Sequence, residues 1–431
     1  MLHSISSSPR RLLQQCRHQA VRHSSSLQRP DYIVKPRLDY GYIADHADEL
    51  ANNMRSRNYD PIDPTDFQRL HQQRKDLYQQ LLVLRSQRNT LSKAAAAHQK
   101  QHLKKASPVS STAAALASST RDRSIQQAQS IKADIKRHEQ ELELVESQLL
   151  TQALLIPNTI HPNVPRGEDP VVVKKVQGDH HGLSPDTGDW KPLDHVALND
   201  RLKFMDLQQA SRVTGSSFYY LQGIGAYLEL ALIQYAMDKA VQRGYLGILT
   251  PDIVRTSLAN ACGFQPRRGE SQQMYKINDT TDDNGDTGLC LTGTAEIPLA
   301  GKYMDQIIPQ VDLPLRCVGF GHSFRMEAGG RASAYRKYDI EAWLPGRKTW
   351  GEISSTSNCT DYQARRLSIR YRPTHPTQDN TLFCHTLNGT AMAVPRVIIA
   401  ILESFQRPDG SVEIPKVLQK WIPGQPTVIS V

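Results

Sequence analysis

Polar side chains that could bind small charged groups are concentrated in three segments of the C-terminal half. The segment LTGTAEIP (291–298) is predicted as a short turn with two hydroxyls and one carboxylate. In GFGHSFRMEAGG (319–330), arginine and glutamate alternate on one face of a predicted strand. The segment WGEISSTSN (350–358) is followed by TLNGT (386–390) and then by VPR, where a helix begins. These residue types favour ion pairs and hydrogen bonds with a ligand.

Each of these residues, taken alone, also has a purely structural explanation. A single arginine on a strand is more often part of a surface ion pair, and Thr390 in Asn-Gly-Thr could be a turn residue or a glycosylation sequon. Gly223 and Gly225 lack the third glycine of a dinucleotide-binding fingerprint. Only the joint occurrence of the segments in one order therefore carries a functional argument.

Composition excludes several other classes of protein. The chain has 431 residues, 39% of them hydrophobic, which is ample for a folded core of two or three domains. It contains no run of 18 apolar residues, so no membrane-spanning helix is predicted. The six cysteines include no C-x-x-C pair, which argues against a disulfide framework or a zinc ribbon.

A pair of heptad segments precedes the polar half of the chain. Asp63 and Pro64 have the pattern of a helix start, an N-cap followed by proline in the first turn. Between 67 and 91, six of eight positions spaced alternately three and four residues apart are apolar, and a second series runs through 128–149. Residues 106–120, rich in Ser, Ala and Thr, are predicted as a turn. The pattern predicts an antiparallel coiled-coil hairpin.

Positive charge is concentrated in the distal part of this hairpin. From 85 to 138 there are eleven Lys and Arg residues against two Asp, within a chain whose net charge is +9. An isolated coiled coil is more often a spacer or a dimerisation element, yet a positive distal half also suits binding of a nucleic-acid backbone. The basic residues of this part are Lys93, Lys100, Lys104, Lys105, Arg121, Arg123, Lys132, Lys136 and Arg137.

The first 30 residues have the composition of a mitochondrial transit peptide. They contain five arginines, many serines and no acidic residue, with short apolar groups between the charges. A disordered basic tail is the alternative. We therefore predict a transit peptide at 1–30 and a mitochondrial matrix location.

The three polar segments and the hairpin together resemble the class II aminoacyl-tRNA synthetases, and seryl-tRNA synthetase in particular. The resemblance lies in the words TGTAEIP, SFRMEAG, YDIEAW, EISSTSNCTDYQARR and TLNGTAMAVPR, and it extends from about Pro64 to the C-terminus. It implies an α+β fold, with an antiparallel sheet and flanking helices at 157–431 preceded by a tRNA-binding arm at 31–156. It also implies a homodimer that joins L-serine to tRNA(Ser) with ATP.

The resemblance further assigns roles to individual residues of the site. Arg325 would hold the α-phosphate and Arg396 the γ-phosphate, as the two catalytic residues. Glu296 would face the serine ammonium and Thr390 the serine hydroxyl. The implied serine-binding set is Thr294, Ala295, Glu296, Asn388 and Thr390. The implied ATP-binding set is Arg325, Met326, Glu327, Glu352, Ile353, Ser354, Ser355 and Arg396, with Glu352 and Ser355 near a Mg²⁺ ion held through ATP.

One departure from the family pattern lies in the second signature motif. In the family, a returning strand containing an HQF-like word and a helix separate the FR-x-E word from the Y-D-x-E word, whereas here Glu327 runs to Asp339 without them. An antiparallel sheet that loses an interior strand loses hydrogen bonds and exposes core. We therefore predict a truncation within this motif. Either the truncation comes from a defective gene model, or the chain is a catalytically inactive tRNA-binding protein.

Overall fold

The computed structural model describes residues 32–104, 111–165, 167, 170–176, 190–264, 274–278, 286–324, 332–374 and 380–430, with backbone alone for 94–104, 111–125 and 286–287. The predicted transit peptide at 1–30 lies outside the described residues. No helix in the described part of the chain is long and apolar enough to cross a membrane.

The hairpin predicted from the heptads is the largest feature of the N-terminal part. Two short helices, α1 (Tyr40–Asp45) and α2 (Ala47–Ser56), precede the long helices α3 (Pro64–Lys104) and α4 (Ser111–Leu155). The side chain of Asp63 accepts the Thr65 N–H at 2.9 Å, which confirms the predicted N-cap. The predicted turn at 106–120 is too long, because α4 already includes 111–120, where alanine favours helix.

The heptad positions form the seam between the two long helices. Phe67, Leu70, Leu77 and Leu81 of α3 are buried, as are members of the series on α4 such as Leu149. Toward the distal end the seam becomes more exposed: position 88 is exposed, and 84 and 91 are half-buried. The base of the arm therefore supplies most of the burial, which matches the expectation that a two-helix seam encloses little volume.

The base of the arm is joined to the C-terminal part by both apolar packing and hydrogen bonds. Ala332 and Tyr362 belong to the same buried cluster as Phe67 and Leu149. The Asn158 amide donates to the carbonyls of Ser333 and Cys359, both at 2.9 Å. These contacts fix the base of the arm against the residues just before Arg336 and just after Asn358, which are the ends of two paired strands.

The C-terminal part contains shorter helices distributed around several small sheets. Among them, α11 carries the VPR word and packs against α7, and both contribute to one apolar core with Leu228, Ile398 and Leu402. The helices are α5 (His195–Leu202), α6 (Leu207–Val213), α7 (Ile224–Val241), α8 (Thr256–Ala261), α9 (Glu296–Gly301), α10 (Tyr362–Leu367), α11 (Val394–Ser404) and α12 (Lys416–Gln419).

Most strands of this part pair in antiparallel fashion, as the predicted fold class requires. The exceptions are β3 with β8 and β7 with β11, which are parallel. The strands are β1 (Met205–Asp206), β2 (Tyr220–Leu221), β3 (Leu246–Leu249), β4 (Ile253–Arg255), β5 (Lys276–Asn278), β6 (Asp286–Leu291), β7 (Ile307–Pro309), β8 (Cys317–Phe320), β9 (Arg336–Leu344), β10 (Thr349–Asn358), β11 (Arg370–Arg372), β12 (Leu382–Phe383), β13 (Leu387–Gly389), β14 (Val412–Glu413) and β15 (Val428–Ile429).

The sheet β13–β10–β9 carries residues of the third polar segment, from 350–358 and from 386–390. Its two antiparallel pairings align Ser357 with Asn388 on one side and with Lys337 on the other. A bulge at Ile353 shifts the register between Glu352 and Ser354. Within the described residues, β9 pairs with β10 alone, so its other edge carries no strand.

Candidate active site

A carboxylate and two amides meet at the end of β10 that lies beside β13. The Oε1 atom of Glu296 accepts hydrogen bonds from the Asn388 side-chain amide at 2.8 Å and from the Gln363 side-chain amide at 2.7 Å. Glu296 begins α9, Gln363 lies on α10 and Asn388 on β13. Three elements distant in sequence therefore hold one carboxylate oxygen in a defined position.

The polar turn before α9 is fixed by the segment that follows β8 and by the residue that precedes β4. Thr292 accepts the Phe324 N–H and donates its own N–H to Asp252, both at 2.8 Å. Thr294 and Ala295 are the last residues of the turn, and the Thr294 hydroxyl accepts the Glu296 N–H, the first of α9, at 3.4 Å. All three predicted residues of this turn, Thr294, Ala295 and Glu296, are half-buried.

Thr390 is held close to β10 because a glycine precedes it. The Thr390 N–H donates to the Ser355 carbonyl at 2.7 Å, and the Ser354 hydroxyl donates to the Thr390 carbonyl at 2.6 Å. A Cβ atom at Gly389 would lie 3.0 Å from Cγ2 of Thr356, so only glycine fits without displacement. The strand carrying Asn388 and Thr390 is therefore joined directly to the strand carrying Glu352 and Ser355.

The bulge at Ile353 determines which of these side chains share a face of the sheet. Glu352 pairs with Glu341, and Ser355 pairs with Asp339, which lies two residues from Glu341 and on the same face. Without the bulge, residues three apart on a strand would point to opposite faces. Glu352 and Ser355 consequently share one face with Asn388, whereas Ser354 lies on the other.

At the other end of this face, the Glu352 carboxylate has only long contacts with the described basic groups near it. Arg396, in the first turn of α11, has Nη2 3.6 Å from Oε1 of Glu352. The Nζ atom of Lys337 is 3.8 Å from Oε2 of Glu352 and 2.9 Å from Asp339. Arg396, Lys337 and Glu352 keep exposures of 43%, 38% and 27%, so a ligand can reach all three.

The structure thus brings the described members of the two predicted sets together. Glu296 and Asn388 are in contact, Thr390 is bonded to the backbone of Ser355, and Glu352 lies beside Arg396. Along β10, the two ends of the site are roughly 15 Å apart at ~3.3 Å per residue. Ile353 forms the bulge, and its carbonyl accepts the Ala393 N–H at 2.9 Å.

Three residues of the predicted site and most of the basic arm residues cannot be placed. Arg325, Met326 and Glu327 lie outside the described residues. In the arm, Lys93, Lys132, Lys136 and Arg137 are exposed. The remaining basic positions, whose side chains lie outside the description, are Lys100, Lys104, Lys105, Arg121 and Arg123.

Three cysteines of the C-terminal part contribute to its apolar packing. Cys262, Cys290 and Cys384 are buried in one apolar core. Burial raises the pKa of the Cys290 and Cys384 thiols, which disfavours the thiolate that zinc requires. Among the described residues, no group of three His, Cys, Asp or Glu side chains could hold a metal ion.

Like Lys337 beside Glu352, Gln363 is a described residue of this site that the sequence analysis missed. It lies within the word DYQARR, but its type carries no signal that separates a buried glutamine from an exposed one. In the structure its side chain is 1% exposed and contacts Glu296 directly. Only the packing of α10 against the polar turn reveals it.

Comparisons with known proteins find matches in both parts of the chain. Residues 38–160 match the family described as seryl-tRNA synthetase N-terminal domain, and residues 328–405 match the tRNA synthetase class II core domain (G, H, P, S and T). The serine–tRNA ligase of Rubrobacter xylanophilus is 36% identical over 445 aligned positions, covering 89% of this chain and 97% of the relative. That of Dictyoglomus turgidum is 33% identical over 450 positions, covering 89% and 98%.

Solved structures show the same fold. Seryl-tRNA synthetase from Pyrococcus horikoshii, complexed with ATP, superposes with a TM-score of 0.69 at 27% identity, covering 91% of this chain and 99% of the other. The cytoplasmic serine–tRNA ligase from Naegleria fowleri, in complex with AMP, gives a TM-score of 0.68 at 21% identity, covering 91% and 98%. The second similarity concerns the fold alone.

Proposed function

Because this chain belongs to the seryl-tRNA synthetase family, we propose that it activates L-serine with ATP and transfers the seryl group to the 3′ end of tRNA(Ser). The observation that supports this most directly is the Glu296 carboxylate, held by Asn388 at 2.8 Å on the sheet face that also carries Glu352 and Ser355. One surface thus offers an acceptor for an ammonium group and charged groups for phosphates.

The activation step requires no nucleophile from the protein. The serine carboxylate attacks the α-phosphate of ATP, and pyrophosphate leaves. The residues act by positioning the two substrates and by stabilising the charge on the phosphates. Glu296 would bind the serine ammonium, and Thr390 the serine hydroxyl, so alanine would leave a polar group unpaired.

At the other end of the site, Arg396 would bind the γ-phosphate of ATP, and its present contact with Glu352 at 3.6 Å is long enough to be exchanged. Arg325 would bind the α-phosphate and Glu327 the adenine amino group. Glu352 and Ser355 supply two oxygen atoms on one face, which fits a Mg²⁺ ion that takes its other ligands from phosphates and water. The ion would reduce the repulsion between phosphates and carboxylate.

The arm would bind the tRNA. Lys93, Lys132, Lys136 and Arg137 are exposed on its distal half, where a phosphate backbone can contact them. The base of the arm is anchored to the sheet through Asn158. This arrangement separates tRNA recognition from amino-acid activation in space.

Two further features of the assembly and location belong to the proposal. The surface of α7 and β3 exposes Leu230, Leu246 and Leu249 at 55%, 57% and 85%, which favours a homodimer that covers them. The arginine-rich, acid-free composition of residues 1–30 favours import into the mitochondrial matrix.

The decisive experiment is serine-dependent exchange of pyrophosphate into ATP by the purified chain, followed by aminoacylation of tRNA(Ser). We expect exchange with L-serine and not with L-alanine. A folded chain that binds serine tRNA but shows no exchange would rule out the ligase activity for this polypeptide.

A second function, tRNA binding without activation, is favoured by the predicted truncation. The alignment with the Rubrobacter relative spans 445 positions, more than the 431 residues of this chain, so part of the relative has no counterpart here. Tyr338 and Ile340 on β9 are 44% and 56% exposed beside an edge that carries no described strand. Sequencing the transcript across residues 330–333 separates the two cases. An additional in-frame segment supports the ligase, and its absence supports the RNA-binding protein.

A further inference from the structure

Gln363 has the properties of a residue that orients a substrate-binding group without contacting the substrate. Its side chain is 1% exposed, so the amide is removed from solvent. The amide nitrogen donates to Oε1 of Glu296 at 2.7 Å and to the Cys262 carbonyl at 3.3 Å. The amide oxygen accepts the Thr386 hydroxyl at 2.7 Å. Every polar atom of the side chain is therefore used.

The surroundings permit only one orientation of this amide. If nitrogen and oxygen exchanged places, the amide oxygen would face both the Glu296 carboxylate and the Cys262 carbonyl, and both of these are acceptors. Two acceptors facing one oxygen in a buried position would leave no hydrogen bond to compensate for lost solvation. The N–H group is thus directed at Glu296 by the protein alone.

The Glu296 carboxylate consequently has one oxygen fixed by two amide donors, Gln363 and Asn388. Asn388 lies in the third polar segment, beside the proposed substrate position, whereas Gln363 approaches from the buried side on α10. A carboxylate held in this way keeps its direction before a ligand arrives, which lowers the entropic cost of binding an ammonium group.

We propose that Gln363 is a positioning residue that sets the affinity of this site for the ammonium group of its amino-acid substrate by fixing the Glu296 carboxylate. The inference rests on the proposed function, because it takes Glu296 as the group that meets the substrate. Thr386 supports Gln363 in this role, because its hydroxyl holds the Gln363 amide in the orientation that directs the N–H at Glu296.

The test is a comparison of L-serine and ATP affinities, measured by titration calorimetry on the full chain. Gln363→Met keeps the length of the side chain and removes the N–H donor. We expect the dissociation constant for L-serine to rise at least ten-fold and that for ATP with Mg²⁺ to stay within two-fold. Gln406→Met is the matched control, because Gln406 is also buried, at 2% exposure, and bonds to Leu193 and Glu403 instead.

A second pair of variants tests the proposal even if Gln363→Met fails to fold. Thr386→Val removes the hydroxyl that orients the amide and should weaken L-serine binding about three-fold. Thr386→Ser keeps the hydroxyl and should bind L-serine as the unaltered chain does. If Thr386 had a purely structural role, Thr386→Val would be tolerated better than Thr386→Ser, because valine preserves the shape of threonine.

The outcomes separate this inference from the proposed function. Unchanged L-serine affinity in folded Gln363→Met, or equal losses for L-serine and ATP, would overturn the positioning role and leave the proposed function intact. Absence of L-serine binding by the unaltered chain would overturn both.

Discussion

The two ends of the sheet face that carries the site are built in different ways. At the Asn388 end, one carboxylate oxygen receives two amide hydrogen bonds of 2.7 and 2.8 Å. At the Glu352 end, Arg396 and Lys337 approach the carboxylate only to 3.6 and 3.8 Å and remain partly exposed. Exposed ion pairs of this kind contribute little to stability. The Asn388 end is therefore organised by the protein, whereas in the proposed function the Glu352 end would become ordered when phosphates and Mg²⁺ bind.

The largest effect should come from removing the charge at the organised end. In Glu296→Gln, the amide oxygen can still accept from Gln363 and Asn388, so the local structure is retained, but the ammonium loses its counter-charge. A charge-assisted hydrogen bond contributes about 1.5–3 kcal/mol, so we expect kcat/KM for L-serine to fall about 100-fold while KM for ATP is unchanged. Pyrophosphate exchange at varied serine and ATP measures both. A comparable rise in KM for ATP would show that the two ends are not independent.

The next largest effect should come from the loosely bonded end. Arg396→Ala removes a guanidinium that, in the proposed function, binds a phosphate, and we expect kcat/KM for ATP to fall about 30-fold. Because the Arg396 guanidinium makes, among the described residues, only a long and exposed contact with Glu352, the midpoint of thermal unfolding should stay nearly constant.

The control for this variant is Arg366→Ala. Arg366 is buried and donates to the Ile156 carbonyl at 2.9 Å, so its removal should lower the unfolding midpoint strongly. A large loss of stability in Arg396→Ala itself would contradict the distinction between the two ends.

The contrast also separates what the sequence predicts from what requires the structure. The heptads predict α3 and α4 because a 3.5-residue period has one structural solution, and the family words predict Glu296, Asn388, Glu352 and Arg396. Alternation along β10 predicts Glu352 and Ser355 on opposite faces, since the bulge that unites them leaves no mark in the local residue types. The predicted turn at 106–120 is too long because its alanines and serines occur in both loops and helices.

Charge reversal in the arm tests whether either end of the site depends on it. The triple variant Lys132→Glu, Lys136→Glu, Arg137→Glu should weaken tRNA(Ser) binding about ten-fold near physiological salt and reduce the salt dependence by about 0.7–0.9 per lost phosphate contact. Serine-dependent pyrophosphate exchange should be unaltered. Binding is measured by filter retention at several salt concentrations.

The matched control reverses three exposed lysines outside the arm, Lys174, Lys175 and Lys191. It changes the net charge equally and should leave the salt dependence nearly as it is. If both triple variants weaken tRNA binding to the same extent, the effect belongs to overall charge and not to the arm.

The smallest effect, and the sharpest comparison, comes from two neighbouring serines on opposite faces of β10. Ser355→Ala removes an oxygen from the face shared with Glu352, so the Mg²⁺ concentration for half-maximal exchange should rise about three-fold, while stability is unchanged. Ser354→Ala instead removes a donor to the Thr390 carbonyl, so it should lower stability by about 1 kcal/mol without altering the Mg²⁺ requirement. Exchange at varied Mg²⁺ and denaturant unfolding measure the two quantities. If Ser354→Ala changes the Mg²⁺ requirement and Ser355→Ala lowers stability, the bulge at Ile353 does not direct Ser355 toward the Glu352 end. The proposed division of the site along β10 would then be wrong.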